Sequence, residues 1–236
     1  PQNPKTPRVC SVDFHIIIKS LNHFTMGKLI YFPFYGRAEP TRMLLAHAGE
    51  KYEEQTVQMA DWGAMKSEMP GGTLPVWVDE NGLMLGQSIS ILQAFARKLG
   101  YVPKGFLGDW ANQWVADTIA DFNAKGYTGK LFGPAVDEAT VKAWTDDYRK
   151  FNQAVEKHLA LMKTQFLAGD NLTASDFNLY AFVYAFALNK NCNHPNVQKS
   201  LEATHGTSET PLLNAWVKRM DAELKDYMAK RPAYIL

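Results

Sequence analysis

The stretch KLIYFPFYGRAEPTR, residues 28–42, sets two phenols, Tyr31 and Tyr35, between a short apolar run and a segment that can only be a helix. A tyrosine hydroxyl, with an ordinary pKa near ~10, stays protonated at neutral pH and can donate a hydrogen bond to an anion forming beside it. A ring at a strand end is otherwise core packing, so position must decide which of the two, if either, does chemistry. Trp62 and Lys66, in ADWGAMK, offer an indole N–H and an ammonium that one helical turn brings to the same side. Alone, such a pair reads as a packed edge and a solvated charge. Gln87-Ser88 opens a helical pattern, where an anion would meet free N–H groups and a hydroxyl, or where Ser88 simply caps the helix. Thr173 and Asp176, in NLTASDF, have the spacing of a capping box and are structural: they start a buried helix, FNLYAFVYAFAL.

The elements that must position these groups are legible in outline. Leu29 to Phe32 reads as a strand, and RAEPTRMLLAHAG as a helix with Pro40 in its first turn and Gly49 stopping it. EEQTVQ is a second strand. LPVWVDENGLMLG is a hairpin turning at Asn81-Gly82, and a helix follows from Ser88 to Leu99. The order is β-α-β and then β-β-α. YVPKGFLGD, with proline and glycines but no periodicity, is a linker. Beyond it 109–131, 137–167, 176–189 and 211–229 show helical spacing, so two unlike domains are expected, 26–103 and 108–236.

Composition narrows the class. The chain has 236 residues, 46% hydrophobic and 21% charged, with a formal net charge of +1. That balance gives no electrostatic case for nucleic acid or an anionic membrane. Cys10 and Cys192 belong to no paired motif, so neither a disulfide framework nor a metal site is expected, and a reducing cytoplasm is the default location. Residues 1–25 read as an extension outside the fold. Their Lys5, Arg8 and Lys19 against Asp13 leave a net of +2, with an apolar run too short for a secretory signal and too proline-broken to fit a mitochondrial presequence well.

Taken together, KLIYFPFYGRAEPTRMLLAHAG, ADWGAMK, TLPVW, GQSISILQAFA and AGDNLTASDFNLYAF, in this order, resemble the cytosolic glutathione transferases, and within them the tyrosine-dependent sigma and pi classes. The resemblance spans 27 to about 230. It implies a thioredoxin-like N-terminal domain, an all-helical C-terminal domain, a homodimer, and conjugation of glutathione to small hydrophobic electrophiles with no metal. A free thiol near pKa ~8.5 is mostly protonated at pH 7, and a depression of roughly two units, about 2.7 kcal/mol, would make the thiolate dominant. The resemblance assigns the sulfur's hydrogen-bond donor to Tyr31. It places Arg37 near the bound peptide and gives the glycine carboxylate to Trp62 and Lys66. The cysteinyl main chain falls to the backbone of Leu74 before a cis Pro75, the γ-glutamyl carboxylate to Gln87 and Ser88, and the glutamyl amine to Asp121 of the partner subunit. Phe32, Phe34, Tyr35, Tyr127, Leu131 and the terminal PAYIL are candidates for the electrophile pocket.

Three positions depart from the pattern. Tyr35 stands where arginine is common, so its effect is expected in substrate preference. Gly71 stands where many relatives place an aromatic that locks into the partner, which implies a flatter interface. Thr73 replaces a longer polar side chain. Other outcomes share most of these residues: a crystallin-like structural homologue, a carrier of hydrophobic ligands, or a glutathione-dependent isomerase or peroxidase of the prostaglandin D synthase kind. Retention of the whole residue set favours a working transferase.

Overall fold

The computed structural model describes residues 27–234. The extension 1–25 and the last two residues of PAYIL lie outside the described residues. Four strands, β1 (Lys28–Tyr31), β2 (Glu53–Thr56), β3 (Val76–Val78) and β4 (Met84–Gly86), form one sheet in the order β2-β1-β3-β4. β1 runs parallel to β2 with Tyr31 opposite Thr56, and antiparallel to β3 with Ile30 opposite Val76. The parallel pair needs a crossover, supplied by α1 (Glu39–His47), in which Pro40 sits in the first turn and Gly49 follows the end with φ +72°. The β3–β4 hairpin is wider than a two-residue turn. Asp79 Oδ1 accepts from the N–H of Asn81 (2.9 Å) and Leu83 (2.7 Å), and the left-handed backbone falls on Gly82 (φ +83°).

A short α2 (Trp62–Met65) precedes β3, and α3 (Ser88–Leu99) follows β4 and ends on left-handed Gly100. The chain is then helical: α4 (Gly105–Ala124), α5 (Tyr127–Lys130), α6 (Glu138–Met162), α7 (Ala174–Phe186), α8 (Pro195–Thr204), α9 (Pro211–Glu223) and α10 (Lys225–Lys230). This is the expected order, a small mixed sheet followed by a helical domain. α8 was not expected; its polar sequence buries only Val197, Leu201 and Thr204.

The two halves share one core, in which Leu44 and Leu45 of α1 join Phe177, Tyr180 and Ala181 of α7. α7 is buried nearly all round, and the capping box that starts it is present. Asp176 accepts four bonds: Leu167 N and Trp216 Nε1 on one oxygen, Thr173 N and Thr173 Oγ1 on the other, each 2.9 Å. Its role is to join the start of α7 to the α6–α7 loop and to α9.

Candidate functional site

Tyr31 ends β1 with its ring 7% exposed. The chain then turns through Pro33 into a 3-10 turn, Gly36–Ala38, whose Arg37 N–H donates to the Tyr31 hydroxyl oxygen at 3.0 Å. This turn requires glycine. Gly36 has φ +39°, and a Cβ there would lie 2.5 Å from the hydroxyl oxygen. Because the oxygen accepts from the backbone, the phenolic proton is left to be donated elsewhere, and no described residue takes it. Burial pushes the Tyr31 pKa up, against the opposing pull of the Arg37 N–H and of the Arg42 and Arg37 charges. The group stays protonated where a bound thiol would ionise, as a hydrogen-bond donor to sulfur must.

The rings after Tyr31 form a continuous wall. Phe32 lies 5.7 Å from Tyr31, 5.9 Å from Phe34, and 5.5 Å edge-on from Trp62. Trp62 opens α2, and the Lys66 N–H bonds back to the Trp62 carbonyl, so the two side chains leave the same short helical segment one turn apart. Lys66 itself is exposed. Leu74-Pro75 is cis, and neither backbone polar group of Leu74 has a hydrogen-bond partner among the described residues. An extended ligand main chain could pair there.

Gln87, rather than Ser88, is the N-cap of α3, and Ser88 is the first helical residue. Gln87 has φ +70° and ψ +107°, one of two non-glycine residues with positive φ among those described. Such strain persists where the surroundings over-determine it. No side chain caps α3, so its first N–H groups are open to an anion. Arg37 has an exposed side chain. Asp121 is exposed on α4, with no bond to Tyr31, Trp62 or Ser88 within the protomer.

The candidate pocket residues divide. Phe34 is half-buried and meets Phe132, 5.2 Å away edge-on and 59% exposed, across the junction of the domains. Phe132 was not anticipated, because a lone aromatic in the loop LFGP has no periodicity to mark it. Tyr127 is half-buried, donates to Asp147 Oδ2 at 2.7 Å and stacks on Trp144. Tyr35 and Leu131 are buried side chains, 2% and 4% exposed, rather than walls of an open pocket. The Tyr35 hydroxyl is occupied, donating to the Pro232 carbonyl at 2.8 Å and accepting from the Tyr234 N–H at 3.2 Å. The Leu131 carbonyl accepts from His194 Nε2.

Beneath the site lies a cluster that sequence reading missed. Arg42 is 2% exposed and Glu39 1%. The Arg42 guanidinium sits 5.5 Å from the Tyr31 ring centre, donates to the Phe34 carbonyl at 2.8 Å, and pairs with Glu39 Oε2 (3.2 Å) and Glu54 Oε1 (2.7 Å). Burial opposes its charge, but Glu54 and Glu39 more than hold it. The clue was a Glu and an Arg three apart on a helix whose other residues are mostly apolar.

Comparison with known proteins bears on the family and the fold. A family model described as glutathione S-transferase, C-terminal domain, matches residues 121–231. Glutathione S-transferase P of Bos taurus is 30% identical over 209 residues, covering 85% of this chain and 90% of that protein. Glutathione S-transferase 4 of Caenorhabditis elegans is 32% identical over 158 residues, 63% of this chain and 74% of that one. Among solved structures, a Nu-class transferase from Haemonchus contortus superposes with a TM-score of 0.72 at 28% identity, covering 89% of this chain and 99% of that one. The chain belongs to the glutathione S-transferase family.

Proposed function

We propose that this member of the family ionises glutathione beside Tyr31, the thiol proton passing to solvent, and that the thiolate sulfur bonds to the electrophilic carbon of a hydrophobic substrate as a leaving group such as halide departs with its bonding pair. The observation that carries the assignment is the Tyr31 hydroxyl, which accepts the Arg37 N–H while its own proton has no acceptor among the described residues. Trp62 and Lys66 would hold the glycine carboxylate, Leu74 the cysteinyl main chain, Gln87, Ser88 and the open start of α3 the γ-glutamyl carboxylate, and Arg37 would flank the peptide. The amine would fall to Asp121 from a second subunit, its exposed position on α4 being compatible with a dimer. Phe32, Phe34 and Phe132 would offer flat apolar faces to the electrophile. A tyrosine-dependent class fits this site, and the expected cytoplasmic location fits its thiol chemistry. Among the described residues no helix is long and apolar enough to cross a membrane.

The test is Tyr31→Phe. It removes one donor and keeps the ring, so turnover with an aryl halide should fall by about tenfold or more, while calorimetric affinity for glutathione stays within about twofold. Turnover equal to the parent's would refute the assignment.

A further inference from the structure

Tyr35 and the C-terminal segment meet in a way that neither thiol activation nor substrate binding uses. The Tyr35 hydroxyl holds two backbone groups of that segment, the Pro232 carbonyl and the Tyr234 N–H. Arg231, whose side chain is 10% exposed, lays its guanidinium 4.0 Å from the Tyr35 ring centre and pairs with Glu39 Oε1 at 3.1 Å. The same Glu39 oxygen accepts from Tyr227 at 2.9 Å, and the other oxygen holds Arg42. Tyr234 closes the layer: its ring lies 5.4 Å from Tyr35 and 5.6 Å from the Arg42 guanidinium. A segment about 200 residues distant in sequence is therefore fastened to both flanks of the Gly36–Ala38 turn, whose Arg37 N–H holds the Tyr31 hydroxyl.

We propose that Tyr35 and Arg231 are positioning residues of the reaction, pinning Arg231–Tyr234 beneath the Tyr31 turn and keeping the charge under the thiol balanced. The inference rests on reading Tyr31 as the sulfur's donor. Two cations, Arg42 and Arg231, balance two carboxylates, the buried Glu39 and Glu54 at the solvent edge of the layer. Among the described residues the other titratable groups facing it are Tyr31, Tyr234, Tyr227 from α10, Tyr52 beside Glu54, and Tyr184 of α7, which lies 5.8 Å from Arg231 and donates to Asp221. Without Arg231, Glu39 would lean on Arg42 alone. The field that Arg42 projects through Tyr31 toward an anion would weaken, and the bound thiol would ionise at higher pH. Without the Tyr35 hydroxyl the charges stay, but the segment loses two backbone bonds. The Phe34 and Tyr35 carbonyls that Arg42 holds from the other side are then less firmly placed.

The experiment measures kcat/KM against pH with an aryl halide, and titrates the bound thiolate by its ultraviolet absorbance, in Arg231→Met, Arg231→Lys and Tyr35→Phe. The parent and Tyr31→Phe are run first. A parent with no thiolate signal defeats the proposed function, whereas a parent signal that no variant moves defeats only this inference. Arg231→Met is expected to raise the midpoint by about half to one pH unit and lower neutral-pH kcat/KM roughly three- to tenfold, with KM for glutathione changed less than about twofold. Arg231→Lys should return most of the shift, since it restores the charge without the planar stack. Tyr35→Phe should lower kcat about threefold at an unmoved midpoint. An Arg231→Met midpoint equal to the parent's, or Arg231→Lys as impaired as Arg231→Met, overturns the electrostatic role. Should Arg231→Met fail to fold, the near-isosteric Tyr35→Phe decides, and kcat equal to the parent's in it overturns the proposal.

Discussion

Gly36→Ala is the sharpest perturbation the structure offers, because it adds one methyl carbon 2.5 Å from the Tyr31 hydroxyl oxygen. Carbon and oxygen approach without strain to about 3.3 Å, so the phenol or the turn must yield by roughly 0.8 Å. The backbone contributes separately: φ is +39° at Gly36, and a left-handed conformation costs an L-residue about 1–2 kcal/mol. A yielding phenol loses either the Arg37 N–H or its aim at the sulfur. A hydrogen bond to a charged group is worth about 1.5–3 kcal/mol, which corresponds to about 10- to 150-fold in kcat/KM and to roughly one to two pH units in the thiol's midpoint. The assay is kcat/KM against pH, with thermal melts to follow the backbone cost. The other Tyr31 atoms near the added carbon are 3.4 Å away, an acceptable contact, so the clash is with the hydroxyl alone. Gly36→Ala should therefore cost little further activity in a Tyr31→Phe background. Parent-like kinetics in Gly36→Ala, or losses that simply multiply in the double variant, would refute the reasoning.

Two further outcomes concern stability. Burial holds the His205 imidazole down to about 4, while an unfolded histidine takes its proton near 6.5, so between these values the unfolded chain binds more protons. Stability should be full above about pH 6.5 and fall by up to roughly 3 kcal/mol on acidification toward 4; urea unfolding across that range, flattened in His205→Asn, checks it. His158, held low chiefly by burial, adds in the same direction. Asp176→Ala leaves four donors without their acceptor and should cost about 3–5 kcal/mol in urea unfolding. The protein that remains folded should keep parent-like kcat, since no part of this carboxylate reaches the cleft.

The legible parts of this chain are those whose cause is local. Ser88–Leu99 and the α1 crossover follow from apolar spacing and from glycines placed just past the last turn, and the T-x-x-D cap acts within one turn. α8 was missed because a ten-residue helix that buries only three side chains offers few apolar residues to mark it, and it docks on α6. The contacts of Tyr35 were illegible for a different reason. Its partners lie 197 and 199 residues downstream, and no pattern in the neighbourhood of YFPFYGRAE carries that information. Glu39 and Arg42 look on paper like an ordinary i,i+3 surface pair of little worth. Only their burial turns them into a charged layer that must be neutralised.

That layer also ties the small sheet domain to the helical one. Within the sheet domain the turn after Tyr31 is held by the Arg37 N–H to the phenol, by the Phe34 N–H to the Phe32 carbonyl and the Glu39 N–H to the Tyr35 carbonyl, and by the carbonyls that Arg42 holds. A donor displaced by an ångström can lose most of its catalytic value, so each further constraint on this turn matters. The C-terminal segment supplies such constraints from outside the domain, through Tyr35 on one side and Glu39 on the other. The geometry of the phenol is thus a property of both domains together, and substitutions in the last few residues should reach the chemistry without touching either substrate.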